Sequence, residues 1–355
     1  SEIMSVDLDA TRPAAYADES YPSWVLLLRA LTWSLTAIVL LFLINNYLIF
    51  WRGWPGVTGL MGDLGWLGAD SKGNDLTGAP LFQASAQTLG YGLAILGCFF
   101  YAFRSSRTRL RTDVERLSGV AAFIARAAFW SVLLIGLADA AISFLRVEGF
   151  LESVVGKGLS DSLGRPQFRG DYVHYPLIGI SLAIAALTRG ISFIWLATLV
   201  VFAEMQIVVA RFIFSYEQAF MGDLVRFWYA ALFLFASAYT LIEGGHVRVD
   251  VLYTRFTPQR KGLVNALGAL LLGIPLCWVI LIRGMWEKSF IINSPLLSYE
   301  VTQSGFGMYS KYLMAGFLAI FAVTMMIQFA SYLLEGVADA RDEPGRRDLD
   351  SEAGH

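Results

Sequence analysis

The sequence predicts an all-α integral membrane protein, built as a polytopic helical bundle with about eight transmembrane helices. Of its 355 residues, 56% are hydrophobic and only 16% are charged, whereas about 25% are charged in a typical soluble domain. The mean hydropathy is +0.56. The apolar residues also fall into long runs, and about 20 such residues per helix are enough to cross a hydrocarbon core of about 30 Å. These observations exclude a soluble globular protein.

Six runs are apolar and long enough to be assigned directly as transmembrane helices. They are residues 24–50, 86–103, 120–145, 224–242, 263–286 and 308–334. The connections on the predicted outer side are residues 51–85, 146–171, 215–223 and 287–307. The first connection is rich in glycine and tryptophan, which is typical of aromatic rings lying at headgroup level.

The apolar stretch from residue 176 to residue 214 is too long for a single span. At 1.5 Å per residue it would extend about 58 Å, nearly twice the hydrocarbon thickness. Its polar or flexible interruption is the tripeptide Thr188-Arg189-Gly190, so we expect the helix to break there. The break gives a short span over residues 172–187 and a full span over residues 191–214. The number of spans then becomes eight.

The distribution of basic residues supports eight spans. Residues 104–119 contain five arginines, and residues 246–262 contain three arginines and a lysine. Loops rich in Lys and Arg stay in the cytoplasm, and these two loops lie on the same side only if the stretch 176–214 crosses twice. Both termini are then cytoplasmic. Seven spans stay open as an alternative, with residues 176–187 lying flat on the cytoplasmic surface, but this topology would export the loop with five arginines.

Both ends of the chain are polar. Residues 1–23 carry five acids against one arginine, which is the wrong charge for the start of a signal peptide, and we interpret them as a polar tail. Residues 338–355 are charged in both signs and contain few apolar side chains. This composition predicts a disordered tail.

Two charged residues and a glutamine lie inside the predicted span 191–214. Glu204 is near its middle, Gln206 lies beside it, and Arg211 follows two turns later on the same side of the helix. An acid at mid-bilayer costs about 2.5–3.5 kcal/mol on insertion scales, so Glu204 is expected to face protein. We favour membrane-embedded polar packing for this set over an ion or proton relay, because no second acid lies at matching depth on a neighbouring span.

Other polar residues and one proline interrupt the predicted spans. Arg126, Asp139 and Arg283 lie nearer the ends of their helices, and we interpret them as interface anchors whose side chains reach the headgroups. Pro275 removes a backbone donor near the centre of its span and predicts a kink. Substrate-binding transporters commonly show two such interruptions in corresponding positions of two repeats. A single interruption without a repeat indicates that the substrate site lies on another chain.

The sequence offers no candidate catalytic, cofactor-binding or metal-binding residues. Cys98 and Cys277 both lie in apolar runs. His246 and Asp250 share the spacing of metal ligands on a helix but have no third ligand nearby. No glycine-rich phosphate-binding loop is present. We therefore predict that the chain is not an enzyme, holds no cofactor and binds no nucleic acid.

A polar signature follows the span 224–242. Its members are Glu243, Gly245, His246, Arg248 and Asp250. The glycines can end a helix, and valines alternate with the charged residues at the predicted cytoplasmic mouth. At the outer start of the same span stands Asp223. Taken from the residues alone, the set is either an anchor that sets the topology or a surface that docks on a partner chain.

Residues 191–334 resemble the small membrane subunit of tripartite ATP-independent periplasmic (TRAP) transporters, the DctQ-like or Q subunit. The span 191–214 is similar to the family's first helix, which ends in an arginine followed by aromatic residues, here Arg211 and Phe212. The next span is similar to the second helix, with an acid at its start and the Gly-His-x-Arg-x-Asp signature at its end. The Pro275 helix and the last span correspond to helices three and four. The earlier helices are similar to those of an extended form seen in some members.

The resemblance implies a division of the chain and a set of partners. The division is a polar tail over residues 1–23, additional helices over 24–187, a four-helix small-permease domain over 188–337 and a charged tail over 338–355. The implied partners are a large permease subunit, which holds the substrate and sodium sites, a periplasmic substrate-binding protein and the lipid bilayer. The chain would then be a multi-pass scaffold subunit in the bacterial inner membrane, serving sodium-coupled uptake of organic acids.

Two other functions compete with this interpretation. The chain could be an autonomous secondary transporter that uses Glu204 as its coupling group. It could also be a membrane sensor or enzyme module that works through its outer loops, especially residues 51–85.

Overall fold

The computed structural model describes residues 20–66, 76–188, 193–242, 253–301 and 307–345, and every regular element in these ranges is helical. The α-helices are α1 (Ser23–Arg52), α2 (Gly56–Asp63), α3 (Ala79–Arg104), α4 (Leu110–Val147), α5 (Leu151–Val155), α6 (Lys157–Leu163), α7 (Pro166–Arg169), α8 (Tyr175–Leu187), α9 (Phe193–Phe214), α10 (Ala219–Ile242), α11 (Pro258–Gly268), α12 (Ile274–Met285), α13 (Asn293–Ser298) and α14 (Lys311–Ala340). Two π turns (Gly170–His174 and Ala269–Gly273) and a 3₁₀ turn (Tyr253–Arg255) complete the set.

Within the described ranges, eight helical segments are long and apolar enough to cross a bilayer, which confirms the predicted number. The predicted break is also confirmed, since α8 ends at Leu187 and α9 begins at Phe193. The fourth segment is longer than predicted, because α7, a π turn and α8 form one 22-residue path over Pro166–Leu187. At 1.5 Å per residue this path extends about 33 Å, enough to span the hydrocarbon core.

The chain divides into two compact units. Unit 1 comprises Ser1–Ser118, His246–Pro275 and Met326–His355, and unit 2 comprises Gly119–Gly245 and Leu276–Met325. Helices α4, α12 and α14 contribute residues to both units. Each unit therefore draws residues from both sides of position 188, where the sequence analysis places the start of the small-permease domain.

In unit 1, α1 packs against α3 and ends in a glycine cap. Gly53 has a φ of 70°. Its N–H donates to the carbonyl of Ile49 at 3.1 Å, and the N–H of Trp54 donates to the carbonyl of Leu48 at 3.0 Å. With Gly53 in the left-handed conformation, its bond to Ile49 is the 5→1 hydrogen bond of the αL cap, and the Trp54 bond satisfies a second carbonyl at the end of the helix. The glycine thus fixes where the first span ends.

Helices α11 and α14 approach each other closely in unit 1. A Cβ atom on Gly262 would lie 2.6 Å from the carbonyl oxygen of Gly336, and a Cβ on Gly336 would lie 2.6 Å from that of Gly262. Small residues at such crossings bring two transmembrane backbones into direct van der Waals contact. This helix pair therefore depends on both glycines.

An aromatic core holds unit 2 together. Phe129 of α4, Phe227 and Phe235 of α10 and Phe317 of α14 are all buried in one cluster. The ring centroids of Phe227 and Phe235 lie 5.1 Å and 5.0 Å from that of Phe317, within the range of favourable aromatic contacts. Helix α4, which precedes the TRAP-like segment, thus shares a core with two helices that belong to it.

Within each unit, α4 contacts α14 or the residues just before it. In unit 1, Arg111 pairs with Asp339, and Ser118 Oγ lies 3.0 Å from Ser331 Oγ. In unit 2, the Asp139 carboxylate accepts the N–H of Tyr309, just before α14 begins. In unit 1, the contacts run from Arg111 to Ser118 along α4 and from Asp339 back to Ser331 along α14, so the two helices are antiparallel there. Of the most apolar 18 residues of α14, 56% are buried, against 11% of those of α9.

One element was not predicted from the sequence, and one predicted element differs in the structure; the kink predicted at Pro275 stays a prediction. A π turn over Ala269–Gly273 immediately precedes Pro275, and the helical path continues through both from α11 into α12. Proline has no N–H and its ring crowds the preceding turn, and the wider π turn accommodates that local mismatch. The tail predicted to be disordered from residue 338 is instead helical to Ala340, and Arg111 donates hydrogen bonds to the backbone carbonyls of Glu343 and Pro344 beyond it. Residues 346–355 lie outside the described ranges.

Candidate functional site

Glu204 lies near the middle of α9 with its side chain exposed. No hydrogen bond or ion pair reaches it from the described residues of the chain. Around it, the apolar side chains of Val201, Met205, Val208 and Phe212 are exposed by 66%, 52%, 52% and 78%, and the exposed Arg211 lies two turns further along the same side of the helix. We call Val201, Glu204, Met205, Val208 and Phe212 together the Glu204 face. The sequence predicts that Glu204 faces protein, but the described residues of this chain do not provide that contact.

Gln206 and Arg211 of α9 have separate environments. Gln206 lines a cavity of about 510 Å³ between α4, α9 and α10. Arg211 Nε lies 3.5 Å from Glu217 Oε2, and both side chains are more than half exposed. Exposed pairs of this kind contribute at most about 1 kcal/mol. Glu204, Gln206 and Arg211 therefore do not form one polar cluster in the chain, and their role in packing stays a prediction.

Asp223 anchors the segment that leads into α14. Its Oδ2 atom accepts the backbone N–H of Met308 at 3.0 Å, and the side chain is only 10% exposed. Arg226 Nη1 lies 3.8 Å from Oδ1. The structure thus gives Asp223 a contact within the chain. The rest of the signature, namely Glu243, Gly245, His246, Arg248 and Asp250, lies outside the described residues.

A fully buried charge network lies in unit 2. Asp139 of α4 accepts hydrogen bonds at Oδ1 from Arg169 Nη1 at 2.8 Å and is 3.2 Å from His174 Nε2. Its Oδ2 atom accepts the N–H of Tyr309 at 2.7 Å. The side chains of Asp139, Arg169 and His174 are all 0% exposed. The interpretation of Asp139 as an interface anchor is therefore wrong, because its charge is neutralised inside the protein.

Further groups complete this network. Arg169 also donates through Nε and Nη2 to the carbonyl of Leu163, at 3.0 Å and 2.9 Å, and its guanidinium carbon lies 4.2 Å from the ring centroid of Tyr309. His174 Nδ1 lies 2.9 Å from the hydroxyl of Tyr312. A buried charge is stable only when it is paired and hydrogen-bonded, and here each member has several partners.

Sequence reasoning missed this network for an identifiable reason. Arg169 lies in the segment assigned to an outer connection, and His174 lies at its edge. The signal that points to both is the unusual placement of a carboxylate, Asp139, inside an apolar helix. Its partners lie 30 and 35 residues further along the chain, and no helical spacing relates residues so far apart.

A second polar network lies in unit 1. Arg29 of α1 donates through Nε to Asp113 Oδ2 at 2.7 Å, and both side chains are 0% exposed. Arg29 also donates to the carbonyl of Ser105 at 2.9 Å, in the turn between α3 and α4. This network joins α1 to that turn.

The same unit also holds the C-terminal end of α14. Arg111 donates to Asp339 at 2.8 Å and to the carbonyls of Glu343 and Pro344, both at 2.9 Å. Tyr21 donates its hydroxyl proton to Glu343 at 2.9 Å. Burial and the nearby Glu343 carboxylate raise the pKa of Tyr21 to about 12.

The comparison with known families identifies the second part of the chain. Residues 197–339 match the family described as tripartite ATP-independent periplasmic transporters, DctQ component. They make up 143 of the 355 residues, and we call this region, which is similar to the family, the DctQ domain. No curated protein and no solved structure matches the chain.

The DctQ domain begins in α9 and ends at the last turn of α14, so the resemblance noted in the sequence is confirmed. Both polar regions join this domain to earlier helices. In unit 2, Asp139, Arg169 and His174 contact Tyr309 and Tyr312 of the domain. In unit 1, Arg111 and Ser118 contact Asp339 and Ser331 of the domain. The additional helices are therefore attached to the DctQ domain within each unit.

Proposed function

We propose that this chain is the small scaffold subunit of a sodium-coupled TRAP transporter in the bacterial inner membrane. In this role it pairs with a large permease subunit, which carries the substrate and sodium sites and takes up organic acids from a periplasmic binding protein. The match of residues 197–339 to the DctQ family is the single observation that carries the proposal. The multi-pass helical architecture is consistent with it.

The geometry of unit 2 favours a supporting role over a translocation pathway. The charges of Asp139, Arg169 and His174 are saturated by one another and by backbone groups, so they are not displayed to a solute. A cavity of about 290 Å³ between α4, α8, α10 and α14 is lined by apolar side chains, apart from Ser131. Such a lining offers no groups that would replace the hydration shell of an organic anion or a sodium ion.

Co-purification tests the proposal. The affinity-tagged chain, extracted from native membranes in a mild detergent, should retain one larger integral membrane protein, which mass spectrometry should identify as a TRAP large permease. Recovery of the chain alone, or with an unrelated protein, would contradict the proposal.

Reconstitution separates the proposal from an autonomous transporter. Proteoliposomes containing only this chain should not accumulate organic acids under an inward sodium or proton gradient. Accumulation that is lost in Glu204→Gln would instead assign the coupling group to this chain and overturn the scaffold role.

A further inference from the structure

The Glu204 face places an acid at the middle of a transmembrane helix without a partner from the described residues. Helix α9 has 22 residues, so Glu204 lies about 15 Å from either end at 1.5 Å per residue. A lipid headgroup does not reach that depth in a hydrocarbon core of about 30 Å. Arg211 lies about 10 Å further along the axis and contacts Glu217 instead. Neither lipid nor Arg211 satisfies this acid.

Helix α3 is the matched comparison for α9, because it is equally exposed in the described part of the chain. In the most apolar 18-residue stretch of each of the two helices, 11% of the residues are buried. Between residues 81 and 103, however, every exposed side chain of α3 is Leu or Phe, apart from glycines. The two helices thus differ in composition and not in burial. Glu204 on α9 therefore needs a hydrogen-bonding neighbour, whereas the exposed side chains of α3 need only an apolar one.

We propose that the Glu204 face is the docking surface for a transmembrane helix of a different integral membrane chain, which presents a hydrogen-bond donor or a cation at the depth of Glu204. Polar residues within membrane helices face protein and pair across helix contacts. The flanking Val201, Met205, Val208 and Phe212 supply the apolar surface of the contact. The inference deepens the proposed function, because it rests on that function for the identity of the docked chain.

A second copy of this chain does not fit the same surface. A two-fold axis along the membrane normal brings identical residues of the two copies together. Each Glu204 would then meet another Glu204 at the same depth, where like charges repel in a low-dielectric medium. Complementarity requires a donor at the depth of Glu204, which the partner must carry, because Arg211 on the same side of α9 lies about 10 Å away along the axis.

Photocrosslinking tests the contact. The probe is p-benzoylphenylalanine, placed at Val208 on the Glu204 face or at Leu93 on α3, and irradiated in native membranes. Val208 and Leu93 are 52% and 67% exposed, so Leu93 is the matched control. We expect Val208 to form an adduct with a second membrane chain, at a peptide from a helix with a donor side chain, and Leu93 to form lipid adducts only. Lipid adducts alone at Val208, or a dimer of this chain, would overturn the inference.

Substitution of the acid supplies an independent measurement. Glu204→Leu should lower recovery of the complex about three- to tenfold, the range expected for one interhelical hydrogen bond, while Glu204→Gln should retain most of it. The melting temperature of the isolated chain should stay unchanged or rise in Glu204→Leu, because the acid has no contact within the described chain to lose. A lowered melting temperature, or full recovery of the complex, would contradict docking through Glu204.

The two proposals fail in different ways. If a TRAP permease co-purifies but the adduct at Val208 does not contain it, the docking surface is wrong and the scaffold function stands. If Val208 crosslinks a membrane chain that is not a TRAP permease, the docking surface stands and the proposed function fails.

Discussion

The Asp139 carboxylate is buried in a helix that the sequence presents as apolar. Three hydrogen-bond donors take the place of the water that this carboxylate loses on burial. They belong to Arg169, His174 and the Tyr309 backbone. Two of these donors lie before the DctQ domain and one lies inside it. These hydrogen bonds therefore neutralise the buried charge of Asp139 and also attach the earlier helices to the DctQ domain.

Removing the charge of Asp139 should destabilise the protein strongly. In Asp139→Asn, Arg169 stays buried at 0% exposure without its counter-charge, and breaking a buried pair on one side costs about 3–5 kcal/mol. Unfolding in detergent, followed by circular dichroism, measures the change.

Glu217→Gln is the matched control for this substitution. It breaks the pair with Arg211, in which both side chains are more than half exposed, and should cost less than about 1 kcal/mol. Equal effects of the two substitutions would show that the buried network does not contribute to stability.

Tyr21 gives a prediction about pH. Its pKa is raised from 10.0 to about 12, first by burial and then by the Glu343 carboxylate, so the folded state holds the phenolic proton more tightly than the unfolded state does. The stabilisation is fully present below pH 10 and is lost as the pH rises toward 12. The melting temperature of the wild-type protein should exceed that of Tyr21→Phe below pH 10, and this difference should shrink between pH 10 and 12.

Absorbance at 295 nm provides the direct readout. The difference between the wild-type and Tyr21→Phe titrations isolates one tyrosine, and its midpoint should lie near pH 12. A midpoint at the ordinary value of 10 would mean that Tyr21 is solvated and does not bind Glu343.

At the scale of elements, composition and charge were sufficient to predict the helices. The six clear spans, the break near Thr188 and the total of eight agree with the structure, because each depends on the local length of an apolar run. The π turn before Pro275 and the helical extension through Gly170–His174 could not be predicted, since both are adjustments of backbone hydrogen bonding that leave apolar patterning unchanged. Arg169 and His174 were missed because their partner lies on another helix.

Packing between α4 and α10 depends on one glycine. A Cβ atom on Gly136 would lie 2.4 Å from Trp228 Nε1 and 3.2 Å from Leu224 Cδ1. The indole also donates to the carbonyl of Val132 at 3.3 Å, so the ring cannot move without losing a hydrogen bond. Gly136→Ala should therefore destabilise the protein by about 1–3 kcal/mol, the range of overpacked cores. Thermal unfolding in detergent measures the loss.

Gly119→Ala is the control for this prediction in the same helix. A Cβ atom on Gly119 meets no atom within 4 Å, and alanine is favoured over glycine inside a helix by about 0.5–1 kcal/mol. Its melting temperature should equal or exceed that of the wild type. A matching rise in Gly136→Ala would show that the Trp228 indole does not pack against Gly136.

At the scale of the whole molecule, the boundary of the DctQ family match does not coincide with a boundary between compact units. Each unit contains residues from inside and outside residues 197–339. Contacts link the matched residues to the preceding helices in both units. They are made by Asp139 with Tyr309 in unit 2 and by the partly buried pair of Arg111 and Asp339 in unit 1. We therefore expect the DctQ domain of this chain to depend on the preceding helices for stability.

Dividing the chain at its helix break tests this dependence. Fragments 1–190 and 191–355, co-expressed with a tag on one of them, should co-purify as a folded pair, because the contacts of Asp139 with Tyr309 and of Arg111 with Asp339 join the fragments without a covalent link. Fragment 191–355 alone should melt at least about 10 °C lower than the pair, since a loss of several kcal/mol shifts the melting temperature by about 2–4 °C per kcal/mol in a domain of this size. Adding Asp139→Asn to fragment 1–190 should reduce recovery of the pair, whereas Glu217→Gln in the other fragment should not. A fragment 191–355 as stable as the intact chain would show that the earlier helices are an independent addition.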